Sequence, residues 1–238
     1  MRGILLSAWL LVPAAVAAYH YGPGQHRMSI DGAAFNLREA DRLVAAENWP
    51  QAIVAYDDAL AVLPADQVDA SRRARLGRAK AKLEVGRLPE AYDELFELTN
   101  EIGPDESTPA DLRTETRDAM ASVQYYLTWL MRLEGEPREK WEPEIEAARQ
   151  NYRLLAEQST AAGETDAAAT HSQDLEAAIR LARMDISELQ ALPLPKQCCG
   201  CCSGQCKCKG KGKTPKEKKG PEDSRGASAG PPPDDRGS

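Results

Sequence analysis

Residues 46–64, AENWPQAIVAYDDALAVLP, constrain the fold more than any other stretch of this chain. Ala52, Tyr56 and Ala59 follow one another at offsets of four and three, which puts them on one face of a helix, and Pro64 comes five residues later. Small side chains at 52 and 59 let a second helix approach closely. The Tyr56 ring fills the space between the two, and Pro64 stops the helix because it lacks an N–H and clashes with the preceding turn. The partner helix begins near Ala33, with Phe35, Leu37, Ala40, Leu43 and Val44 as its apolar stripe. A turn at Glu47-Asn48 leads to Trp49 and the second helix, Pro50 to Leu63.

The pattern returns. Gly86-Arg87-Leu88-Pro89-Glu90-Ala91 aligns with Glu47-Asn48-Trp49-Pro50-Gln51-Ala52, and Leu95 and Leu98 take the places of Tyr56 and Ala59. Ala79 then stands where Ala40 stands in the first copy, and Ala52 to Ala91 is 39 residues. This combination of small positions, turn and closing proline resembles the tetratricopeptide repeat over residues 33–101, with about five extra residues in the link around Ala65 to Arg72. The resemblance implies an all-α fold in which antiparallel hairpins form a short right-handed solenoid. Two repeats occupy residues 30–104 and three longer helices in 105–192 cap them, because two repeats cannot bury both their faces alone.

Those later helices carry their own signals. Thr108-Pro109-Ala110-Asp111 reads as a threonine N-cap, a proline at the first helical position and an acid in the first turn, opening a helix to about Leu133. Leu112, Ala119, Val123, Leu127 and Leu130 are its buried positions, and Gly135-Glu136-Pro137 ends it. A helix from near Pro143 to about Ala162 buries Trp141, Ile145, Ala148, Tyr152 and Leu155, and Gly163 terminates it. A last helix from about Asp166 to Leu192 repeats the spacing at Leu175, Ile179, Ala182, Ile186 and Leu189.

The two ends differ from this body. Arg2 precedes the uncharged run Gly3 to Ala18, and Ala15-Val16-Ala17 or Val16-Ala17-Ala18 offers small residues for signal cleavage. Residues 1–18 therefore read as a cleaved signal peptide or a retained membrane anchor, and either implies an exported protein, periplasmic, in the cell envelope or secreted. At the other end, no aliphatic residue larger than alanine follows Leu194, so 193–238 reads as a disordered tail. Residues 196–238 hold ten Lys and Arg against five Asp and Glu, which leaves 20 against 32 for the rest. A body of net charge −12 argues against nucleic-acid binding.

All six cysteines, Cys198, Cys199, Cys201, Cys202, Cys206 and Cys208, lie in the run CCGCCSGQCKC. Interleaved C-x-x-C pairs suit a soft ion, Zn²⁺ or Cu(I), and in composition the run resembles metallothionein-like clusters. Disulfides in an oxidising compartment and no specific role are the alternatives. No cofactor is otherwise implied. His20, His26 and His171 stand apart from one another, and His171 reads as a surface residue.

No nucleophile elbow or phosphate loop occurs, so the expected function is a non-catalytic interaction scaffold holding a protein or peptide partner. The resemblance puts the groove on the first helix of each hairpin, with Asn36, Glu39 and Arg42 in the first and Arg75, Arg78 and Lys82 in the second. A thiol or metal protein acting through the tail is the competing expectation.

Overall fold

Leucine, alanine, glutamate and arginine dominate residues 30–192, and each apolar stripe repeats at three and four, so the backbone satisfies itself locally in helices. The structure, a computed structural model, describes residues 24–192 together with Trp9, Val12, Pro13, Val16, Ala17 and Tyr19. Most of the 1–18 segment, the cysteine cluster and the tail lie outside the described residues. The described part is all helical, with no strand: α1 Gln25–Ala45, α2 Trp49–Val62, α3 Val68–Glu84, α4 Leu88–Ile102, α5 Ala110–Leu133, α6 Arg138–Ala161, α7 Thr165–Arg183 and α8 Ile186–Ala191. None of these helices is long and apolar enough to cross a membrane.

Helices α1 to α7 each pack on their neighbours in sequence, and α5 also touches α3 and α8. Three apolar clusters result. The first joins α1, α2 and α3 around Ala40, Ala52, Tyr56, Ala74 and Ala81. The second joins α3, α4 and α5 through Leu76, Ala79, Leu95, Leu98 and Leu112. The third joins α5 to α6, α7 and α8 through Trp129, Ile145, Tyr152, Leu155 and Leu181. Helices α3 and α5 are thus buried on two sides, and Ala74 and Ala81 face one cluster while Leu76, Ala79 and Leu83 face the next.

The hairpin turns share one chemistry. After α3, α5 and α6 a glycine takes the left-handed conformation, at φ of 78°, 76° and 75° for Gly86, Gly135 and Gly163. In each case the next residue's N–H reaches back to the last turn: Arg87 to the Lys82 carbonyl, Glu136 to Met131, Glu164 to Ser159. The α1–α2 turn makes the same bonds, Glu47 to Val44 and Asn48 to Leu43, but the left-handed residue is Glu47, at φ 56°.

Six expectations need correction. Helix α1 starts at Gln25 rather than near Ala33, and Phe35 is 64% exposed instead of buried, because Ala33 and Ala40 hold the contact face. Thr108 does not cap α5. Pro109 is the N-cap residue, and the buried Thr108 hydroxyl accepts a hydrogen bond from Arg72 Nη1 at 2.9 Å. Helix α6 begins at Arg138, with Pro143 inside it, since the chain has already turned at Pro137. The last helix is two: Met184 and Asp185 are extended, and Asp185 opens α8 with a capping box, accepting from Glu188 N while Glu188 accepts from Asp185 N. Finally, His171 is no surface residue; its side chain is 12% exposed and faces Asp118.

Candidate functional site

Helix α3 carries six cations, Arg72, Arg73, Arg75, Arg78, Lys80 and Lys82, in VDASRRARLGRAKAKLE. With each residue turning a helix by about 100°, Arg75, Arg78 and Lys82 fall on one side and Arg73 and Lys80 on the opposite side. The structure bears out that division through the partners each row finds.

The row expected to line the groove faces the second helices of the hairpins. Arg78 pairs with Asp57 of α2 and with Glu94 of α4, at 2.6 Å from Nη2 to Oε1. Lys82 Nζ donates to the other oxygen of Glu94 at 2.8 Å, and Arg75 Nη1 to Glu101 at 2.6 Å. Glu94 is 7% exposed, so its charge is sustained by the two cations around it. Burial lowers the basicity of Arg78, but the carboxylates of Glu94 and Asp57 outweigh it and the guanidinium titrates above its ordinary value. The sequence brought Arg75, Arg78 and Lys82 together correctly. It could not show that carboxylates of this same chain already hold them.

The α1 residues are not joined to that row. Arg42 donates to Glu39 within its own helix, at 2.5 and 2.8 Å, and Asn36 is half-buried. Along the 39-residue offset Asn36 and Glu39 correspond to Arg75 and Arg78, whereas Arg42 corresponds to the buried Ala81.

The opposite row is the one the sequence reading passed over. Arg73 Nη2 lies 2.7 Å from Asp111 and Lys80 Nζ 2.5 Å from Glu115, so both cations reach from α3 to α5, the first helix of the next hairpin. One turn further along α5, Asp118 faces His171 of α7, with 3.8 Å between Oδ1 and Nδ1, beyond hydrogen-bond range. Asp111, Glu115 and Asp118 stand at i, i+4 and i+7, a spacing that places them on one face. Arg73 holds the Asp111 carboxyl below its usual range. Burial pushes the Asp118 carboxyl up, opposed by the charges of His171 and Lys80. The exposures rise outward, with Asp118 at 21% and Asp111 at 67%.

Arg72 differs from both rows. Its side chain is 8% exposed and ties α3 to the end of α4 and the loop after it, with Nε 2.8 Å from Glu101 and Nη1 2.8 Å from Asp105. This is an internal clasp.

Among the described residues no group of three or more His, Cys, Asp or Glu side chains is arranged to hold a metal ion. The six cysteines lie outside those residues. A shallow depression of about 670 Å³ between α7 and α8 is lined by Ile179, Arg180, Arg183, Met184 and Leu192. Comparison with known protein families, curated proteins and solved structures gives no match to this chain.

Proposed function

We propose that this chain is a non-catalytic, exported scaffold of tetratricopeptide-like hairpins that captures a protein or peptide partner on the side shared by α3, α5 and α7. One observation carries the reading. The ion pairs on that side, Arg73–Asp111 and Lys80–Glu115, have half or more of their carboxylates in solvent. Exposed pairs contribute only about 0–1 kcal/mol, so a partner's charges can replace them at little cost. The opposite row is anchored on buried Glu94, and displacing it strands a charge. The two-sided burial of α3 and α5 fits hairpins stacked in a short solenoid with α6 to α8 as its cap. Export rests on the apolar run 3–18.

The test is capture of partners from the native source with the full chain. Replacing Asp111 and Glu115 by lysine should abolish a capture that Arg75→Ala leaves intact. The reverse result moves the site to the other side of α3, and capture insensitive to both variants refutes an α3-centred site.

A second reading rests on the density of the cysteine run, six thiols in eleven residues. It makes the tail a binder of Zn²⁺ or Cu(I), or a redox element, carried by the helices. Truncation after Leu194 separates the two. Capture that survives supports the scaffold, and a cellular role lost with the tail gives the function to the thiols.

A further inference from the structure

We propose that the outer face of α1 is a two-fold interface with a second copy of this chain. Helix α1 buries Ala33 and Ala40 against its hairpin partner α2. Phe35 lies on the far side of the helix, and Met28, Asp31, Gly32, Arg38 and Arg42 all fall within about 60° of it around the axis. Phe35 is 64% exposed and Met28 59%. This face is one that packs elsewhere in the chain. Phe35 and Arg42 correspond, along the 39-residue offset, to Ala74 and Ala81 of α3, which are buried against the preceding hairpin. The first hairpin has no predecessor among the described residues, so the equivalent face is open.

The charges and the aromatic ring of this face say that the occupant is the same face of another molecule. Asp31 and Arg38 form no ion pair among the described residues, although more than half of the described Lys and Arg side chains are paired. They stand seven residues apart, symmetric about the Ala34–Phe35 peptide. When two copies of α1 cross antiparallel on an axis through that peptide, Asp31 of each copy meets Arg38 of the other. Phe35 of each copy then comes over Ala34 of the other. Aromatic ring, small facing residue, acid and base are all supplied by one helix, which is the self-complementarity that an isologous contact demands.

Sedimentation equilibrium of the full chain, with a thiol reductant to keep the cysteines from linking copies, tests this. The wild-type chain should be dimeric at ~50 µM, and Phe35→Glu should be monomeric with an unchanged helical circular dichroism spectrum. Asp31→Arg and Arg38→Asp should each weaken association by about tenfold, because each sets like charges against each other twice. Combining the two swaps should restore the dimer, since the contact is reciprocal. A monomeric wild-type chain overturns the proposal, as does a dimer indifferent to Phe35→Glu or a double swap no tighter than the single ones. If the monomer adsorbs to vesicles of phosphatidylglycerol and Phe35→Glu releases it, the face belongs to a membrane and the proposal falls.

Discussion

The Tyr56 ring lies so close to the backbone of Gly77 that a Cβ at residue 77 would stand 2.5 Å from its Cζ and 2.6 Å from its hydroxyl oxygen. This contact explains a glycine in the middle of α3, where alanine is otherwise favoured by about 1 kcal/mol. It also specifies how the first hairpin meets the third helix, with the Tyr56 hydroxyl donating to Asp41 at 3.4 Å.

Gly77→Ala should therefore destabilise the protein by about 1–3 kcal/mol, the usual cost of overpacking. Tyr56→Ala should cost about 3–5 kcal/mol through the cavity it leaves. The decisive measurement is the double variant. With the ring gone, alanine at 77 regains its helix propensity and should stabilise, so the two costs will not add in urea unfolding. Additive costs would mean that the two residues do not touch.

Arg72→Ala should lower stability by about 2 kcal/mol, because it removes charge-assisted bonds to Glu101 and Asp105 and leaves the Thr108 hydroxyl buried without its donor. The loss depends on pH. Arg72 foremost, then Arg75, holds Glu101 below its ordinary range; Asp105 is held down by Ser107 and then by Arg72. Carboxylates depressed in the folded state contribute above their unfolded value of about 4 and lose that contribution as acid protonates them. The gap between wild type and Arg72→Ala should be widest near neutrality and close below about pH 4. A gap that is constant with pH would show that Arg72 acts by packing alone.

What could be read from the sequence followed from how local each cause is. Helix positions and the burial of Tyr56, Leu95 and Leu98 were legible because spacing within one helix fixes which side chains share a face, whereas the seat of the Tyr56 ring on Gly77 joins two helices and was not. The break before α8 was legible too, since Asp185 and Glu188 have the spacing of a capping box, but the apolar repeat through Ile186 and Leu189 masked it. Thr108 could not be placed by local rules, because Arg72 claims its hydroxyl from 36 residues away. Which row of α3 reaches α5 was hidden for the same reason. Arg75 and Arg73 look alike in the sequence, and only the acids of α4 and α5 separate them.

Tyr92 joins α4 to α6 by donating to Glu144 Oε1 at 2.9 Å, and its ring stacks on Phe96. Burial, then the carboxylate it donates to, pushes the phenol up to about 12. A phenol raised in the folded state contributes its stability below the ordinary value of about 10 and loses it as pH climbs to the folded one. The difference in phenolate absorbance between wild type and Tyr92→Phe should titrate near pH 12. Between about pH 10 and that value, wild type should lose stability that the Phe variant does not. A difference titrating near the ordinary value would place the hydroxyl in water and remove the α4–α6 tie.

Glu47 is the one described residue other than glycine with a positive φ, and Gly86 occupies the equivalent turn of the second hairpin. A side chain in the left-handed conformation costs about 1–2 kcal/mol, part of which glycine returns through the greater freedom of its unfolded chain. Glu47→Gly should then gain about 1 kcal/mol without altering the turn, since the bonds from residues 47 and 48 to Val44 and Leu43 use backbone alone. A second contribution is electrostatic. Burial raises the Glu84 carboxyl, and the Glu47 charge raises it further, so any neutral residue at 47 relieves that repulsion. Glu47→Ala separates the two, because alanine removes the charge and keeps the Cβ. A gain confined to the glycine variant locates the strain in the backbone. Equal gains in both would locate it in the pair of acids, and no gain in either would mean that the turn is not held in the left-handed conformation.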